Sequence, residues 1–141
     1  MDGAAPRGLG EIGLTNFAPY LMNRIMGRYN AGFREELAGL GLTTPKARAL
    51  AVLSVVEAPL VGELAVYTVT EQSTLSRALD QLQAEALIRR EADASDSRAV
   101  RIVITDAGRA VFADLWPHMH DAQERMFRGI PAAERQAFTA T

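Results

Sequence analysis

Glu63-Leu64-Ala65, Tyr67-Thr68-Val69 and then Gln72-Ser73-Thr74-Leu75-Ser76-Arg77-Ala78-Leu79 form the stretch on which the fold turns. A short helix over about Gly62–Val66 offers Glu63-Leu64-Ala65 as its buried face. A turn at Tyr67-Thr68-Val69 follows, and a longer helix begins near Thr70 or Glu71. In that second helix Leu75, Ala78, Leu79 and Leu82 recur at helical spacing as an inner stripe reaching toward Ala86. Gln72, Ser73, Thr74, Ser76 and Arg77 all stay off the stripe, at the N-terminal end. Ser or Thr there can serve merely as a helix cap. Capping takes one residue, and here five polar side chains gather. A helix entering the major groove by its N-terminus presents its first-turn side chains to base edges and its free amides to phosphate. Gln suits adenine, Ser and Thr adapt to several acceptors, and Arg favours guanine or phosphate. DNA contact is therefore preferred over capping.

Downstream of Ala86 the apolar period changes from helical to two. Leu87–Glu91 is one strand candidate; Val100, Ile102 and Ile104, alternating with Arg101 and Val103, form a second. The polar tip Ala92-Asp93-Ala94-Ser95-Asp96-Ser97 suits a hairpin between them. Thr105 caps a long helix whose stripe is Ala110, Val111, Leu115, Met119, Ala122 and Met126. Pro117 lies within it and predicts a kink. Gly129 ends that helix, and Pro131 opens a last one running to Thr141.

Upstream, Thr44-Pro45 reads as a capping hydroxyl followed by Pro at the first helical position. That helix runs to about Val56, with Leu50, Leu53 and Val56 inward, and breaks at Glu57-Ala58-Pro59. Before it, Leu14, Phe17, Ala18, Leu21, Met22, Ile25, Met26, Tyr29, Phe33 and Leu37 fall at spacings of three and four. This helix, closed by Gly39 and Gly41, would be about 35 Å long and would outreach a small core. It calls for a partner. Residues 1–13, with Gly3, Gly8, Gly10 and Gly13, read as a loose arm. The order helix, helix, turn, helix, hairpin, helix is a winged helix-turn-helix, mainly α with a small β-hairpin wing.

Composition narrows the function classes. At 141 residues, 48% hydrophobic and 23% charged, the chain is an ordinary globular sequence and one folding unit. Its net charge of −2 does not by itself advertise nucleic acid. Lys46 is the single lysine, so positive charge is carried by arginine. Cys is absent, which excludes disulfide staples and thiol redox sensing. No apolar run approaches a membrane span, and Met1–Pro6 lacks a secretory pattern, so a cytoplasmic protein is expected. Gly8-Leu9-Gly10 sits in the arm and not between strand and helix, which fails the test for dinucleotide binding. His118 and His120, two apart, point to different helix faces, against a metal site. Neither enzyme nor cofactor is expected. The rival to DNA binding is a winged helix used as a protein-interaction module, which would more naturally expose apolar residues on the second helix.

Leu82-Gln83-Ala84-Glu85-Ala86-Leu87-Ile88-Arg89-Arg90, the tip Asp93-Ala94-Ser95-Asp96-Ser97-Arg98, and Val100-Arg101-Ile102-Val103-Ile104-Thr105-Asp106-Ala107-Gly108 together resemble the MarR family of bacterial transcriptional regulators. The resemblance rests on the Asp-x-Arg tip at Asp96 and Arg98 and on the closing Thr-x-x-Gly, and extends from about Leu14 onward. Ala86 departs from it, since relatives often carry Gly before the strand. The resemblance implies that Arg98 enters a narrow minor groove, held in place by Asp96. It implies a homodimer, with a winged helix-turn-helix lobe at 42–106 and dimerisation helices at 14–41 and 107–141. Such a dimer reads an inverted-repeat operator in double-stranded DNA, half-sites about 34 Å apart. It further implies repression relieved by a small aromatic or phenolic effector. Tyr20, Arg24, Trp116 and His118 are the candidates for its cleft, with ordinary packing as the alternative reading of the aromatics.

Overall fold

A computed structural model describes residues 5–141, so Gly3 and the rest of 1–4 of the expected arm lie outside the described residues. The elements are α1 (Leu9–Ile12), a single 3-10 turn (Leu14–Asn16), α2 (Ala18–Gly39), α3 (Thr44–Leu53), α4 (Val61–Thr68) and α5 (Gln72–Ala84). Then come β1 (Ile88–Ala92), β2 (Val100–Ile104), α6 (Asp106–Met126) and α7 (Ala132–Ala140). The mainly helical architecture with one hairpin matches expectation.

Several boundaries move, each for a local reason. The arm is not wholly loose, because Leu9–Ile12 closes one helical turn on the carbonyl of Gly8. Gly13, at φ +81°, then stops it. The long helix starts at Ala18 instead of Leu14: Phe17 is extended, and Pro19 supplies a preset φ in the first turn. At 22 residues α2 is about 33 Å long. Its end is a Schellman motif, with Leu42 N–H donating to the Leu37 carbonyl and Gly41 N–H to that of Ala38. Thr43, not Thr44, caps α3 by accepting from Lys46 N–H at 3.4 Å. Helix α3 ends at Leu53, three residues early. Helix α4 runs on through Tyr67 and Thr68, so the turn is Val69-Thr70-Glu71. Glu63 is exposed, not buried; its carboxylate accepts from the Leu60 N–H at 3.3 Å. Helix α6 is continuous through Pro117.

The buried core centres on the winged lobe and the facing parts of α2 and α6. Leu64 of α4 and Leu75, Leu79 and Leu82 of α5 meet Leu50 and Leu53 of α3, Ile102 and Ile104 of β2, and Leu115 of α6. Each such leucine contributes about 1.5–3 kcal/mol through burial. β1 and β2 pair antiparallel, Ile88 opposite Ile104 and Ala92 opposite Val100. A one-residue bridge from Leu60 to Arg101 and a bond from Ile102 N–H to the Pro59 carbonyl add the α3–α4 loop to the edge of the wing.

Candidate nucleic-acid interface

Burial sorts α5 into two faces. Leu75, Ala78, Leu79 and Leu82 are buried, while Gln72, Ser73, Ser76 and Arg77 are exposed and Thr74 is half-buried. Five of the predicted DNA contacts therefore share one end of one helix. Thr74, partly covered, has the least freedom among them.

The turn into this helix is fixed from both sides. Val69 adopts φ +50°, ψ +47°, a left-handed conformation that a β-branched residue rarely takes. Arg48 of α3 donates to the Val69 carbonyl at 3.3 Å, and the Thr70 hydroxyl to that of Thr68 at 3.0 Å. The far end of α5 is fastened as well. Lys46, its side chain 6% exposed, pairs with Glu85 at 2.5 Å. Arg90 of β1 donates to Asp80 at 2.9 Å and also to Gln83. These bonds hold the wing and α5 as one body.

At the wing tip Arg98 has a side chain 91% exposed, and its Nε and backbone N–H both donate to Asp96 Oδ1, at 3.3 and 3.0 Å. Asp96 thus lies within hydrogen-bond reach of both the Arg98 backbone and its guanidinium. Sequence reasoning missed the residue that shapes the tip, Asp93. Its Oδ2 accepts from the Ser95 hydroxyl (2.7 Å) and the N–H groups of Ser95 (3.1 Å) and Asp96 (3.0 Å). Its Oδ1 accepts from Arg101 Nε at 2.5 Å. The Ser95 hydroxyl, then Arg101 and the backbone amides, hold the Asp93 carboxyl well below the usual carboxylate range. The available signal was Asp followed by Ser two places on, a turn-forming pattern. Arg101 also donates to the Ala58 carbonyl at 2.8 Å, which ties the hairpin to the α3–α4 loop.

The Thr-x-x-Gly pattern is a joint. Thr105 Oγ1 donates to the Ala86 carbonyl at 2.7 Å and accepts from Gly108 N–H at 3.1 Å, while Thr105 N–H donates to the Leu87 carbonyl. A Cβ at Gly108 would lie 2.1 Å from the Leu87 oxygen, so only glycine permits this approach. Ala86 takes φ +60° here, at the C′ position of a second Schellman motif.

The four effector candidates occupy three places. Arg24 lies over the Tyr20 ring at 5.9 Å. Trp116 packs against His120 and Phe112, and His118 Nδ1 meets Glu36 Oε2 at 3.3 Å. Tyr20 and Glu36 are 16 helical residues apart, about 24 Å along α2. Within one chain Tyr20 and Arg24 are thus remote from His118. A groove of about 770 Å³ between α2 and α6 is lined by Ile25, Arg28, Tyr29, Phe33, Glu36 and Arg125, among others, and by none of the four. Arg125 donates to Glu36 at 2.5 Å, on the oxygen that His118 leaves free. Among the described residues, no three His, Cys, Asp or Glu side chains are grouped to hold a metal ion.

Known proteins share this fold. The family model described as MarR family matches residues 40–99, from the turn before α3 to the tip of the wing, ending just before β2. A MarR-family transcriptional regulator from Silicibacter pomeroyi is 58% identical, with a TM-score of 0.88 over 95% of this chain and 90% of that one. BpsR from Bordetella bronchiseptica, whose DNA binding is regulated by 6-hydroxynicotinic acid, is 25% identical, with a TM-score of 0.77 over 87% of this chain and 93% of its own. The transcriptional repressor IacR of Pseudomonas putida is 22% identical over 126 residues, which cover 89% of this chain and 75% of that protein. Sharing most of its residues and its whole architecture with such a regulator, the chain belongs to the MarR family and is a winged-helix, DNA-binding transcriptional regulator.

Proposed function

We propose that the protein is a homodimeric repressor that reads an inverted-repeat operator in double-stranded DNA and releases it on binding a small aromatic or phenolic effector. The carrying observation is the pairing, on one braced lobe, of an exposed polar first turn of α5 with the exposed guanidinium of Arg98. Gln72, Ser73, Ser76 and Arg77, with Thr74 beside them, read the major groove; Arg98, set by Asp96, reads the adjacent minor groove. The lobe is residues 42–106. Helices in 14–41 and 107–141 form the dimer body, preceded by the arm at 1–13, and the protein acts in the cytoplasm. The dimer is supported by apolar side chains that one chain leaves uncovered on α2 and near its end, including Met22, Ile25, Met26, Ile130 and Phe138. No helix among the described residues is long and apolar enough to cross a membrane. The role is binding, not catalysis.

Effector control is supported by the likeness to BpsR, and repression by the likeness to IacR. Of the four effector candidates, His118 has the strongest support, because its partner Glu36 lines the α2–α6 groove. The test is selection from random duplex DNA, then titration of the winning site at several salt concentrations. The expected result is an inverted repeat with half-sites about one turn apart, near 34 Å. Arg98→Ala should weaken binding about tenfold, most on sites with a narrow flanking minor groove. A steep salt slope with no enriched sequence would overturn the readout. A folded dimer that retains no DNA at low salt would put the protein-interaction module first.

A further inference from the structure

Glu71 is an oddity on this surface. It is the N-cap residue of α5, exposed, and an acid where the protein meets a polyanion. Its backbone is extended (φ −59°, ψ 139°), so the side chain leaves the helix before the buried stripe begins. Its one side-chain partner among the described residues is the Ser73 hydroxyl, which donates to Oε1 at 3.3 Å. That bond leans the carboxylate toward the Ser73 and Gln72 side, the exposed face of the helix, and leaves Oε2 free. It does not cap α5, since it takes no backbone N–H of the first turn.

Among the described residues no cation pairs with Glu71; Arg48, which reaches the turn just before α5, directs its guanidinium to the Thr68 and Val69 carbonyls. A carboxylate that is acceptor-only and faces DNA finds few favourable partners. Guanine offers N7 and O6, and thymine O4, all acceptors. Adenine sets its N6 donor beside the N7 acceptor, which suits the carboxamide of Gln72 and opposes a second carboxylate oxygen. Cytosine offers the N4 amino group alone.

We infer that Glu71 is a specificity-determining residue of the recognition helix, selecting a cytosine in each half-site by accepting from its N4 amino group and rejecting other bases at that step. This rests on the docking proposed above. The carboxylate also repels phosphate wherever no cytosine is available, which lowers affinity for unrelated DNA and widens the gap between operator and background.

The experiment is selection from random duplex DNA with the full-length protein and with Glu71→Gln and Glu71→Ala. Each is then titrated on the wild-type site and on the three single-base replacements of the predicted cytosine. The wild type should fix cytosine at one position per half-site and lose about 10- to 100-fold in affinity on replacement. Glu71→Gln should move the preference at that position to adenine. Glu71→Ala should flatten that position alone and bind random duplex several-fold more tightly. If the wild type enriches an operator but all three proteins return the same site, or Glu71→Ala loses affinity equally on every sequence, Glu71 does not read a base. If the wild type enriches nothing, the readout itself fails, and the assignment of Glu71 fails with it.

Discussion

The winged-helix lobe and the outer helices treat the same kind of sequence pattern in opposite ways. In α5 the apolar stripe is finished within the chain: Leu75, Leu79 and Leu82 are wholly enclosed. In α2 an equally regular stripe is left open, with Met22 at 58% and Ile25 at 46% exposure; Phe33 and Leu37 are buried and Tyr29 packs partly against the core. Helical period reports that a face is to be covered. It does not report by whom. The lobe is a complete interior, whereas the outer helices are half of one, which a second copy completes in the proposed dimer.

The sharpest way to break the comparison is at the joint between the two regions, with Gly108→Ala. The added methyl meets the Leu87 carbonyl and Ile104, so stability should fall by about 3 kcal/mol in urea unfolding, from a change at the first turn of α6 where it abuts the wing. On α2, Ile25→Glu should weaken dimerisation by about 100-fold in sedimentation velocity, by placing a charge on the apolar face. The far-ultraviolet circular dichroism of the lobe should survive it. If the Ile25→Glu protein remains fully dimeric, the open stripe of α2 is not the interface.

A change within the lobe sharpens the contrast. Ala86→Gly relieves a left-handed alanine and should stabilise the protein by about 1 kcal/mol, read as a raised thermal midpoint. The smallest effect belongs to pH. The Asp93 carboxyl is depressed, so its bonds support the wing above the pH at which a free carboxylate titrates, about 4. That support is lost progressively as pH falls below this value toward the folded-state pKa. Amide exchange at Ser95 and Asp96 should accelerate in acid relative to the α5 amides, and Asp93→Asn should show the faster exchange already at neutral pH.

Much of the lobe was legible because its determinants are local. The alternation Val100, Ile102, Ile104 and the Leu75, Leu79, Leu82 stripe each specify a face without reference to anything distant. Thr105 as a cap followed from its place before a helical run, and it does accept from Gly108 N–H. The misses share a different cause. Lys46 and Glu85 are 39 residues apart, so the pair that fastens the end of α5 leaves no trace in either neighbourhood. Arg101 reaches back 43 residues to Ala58. The effector candidates failed to converge because periodicity gives the face of a helix and not the height along it. Tyr20 and Trp116 were grouped as aromatics on outer helices, but they pack in separate places. Glu71 was passed over as a position near the helix start, and its significance depends on the Ser73 bond and on its having no cationic partner among the described residues.

The Thr105–Gly108 joint also determines how motion can pass through the molecule. It welds the first turn of α6 to the start of β1, and β1 is in turn braced to α5 through Arg90. Helix α6 then runs 21 residues, about 31 Å, away from that weld toward the outer helices. It is a lever with the exposed face of α5 braced to one end. A tilt of about 5° imposed at one end displaces the other by about 3 Å over this length, close to the rise of one base pair. In the proposed dimer, a small rearrangement between the two copies would therefore move each α5 by about one step of the DNA ladder, without deforming either lobe.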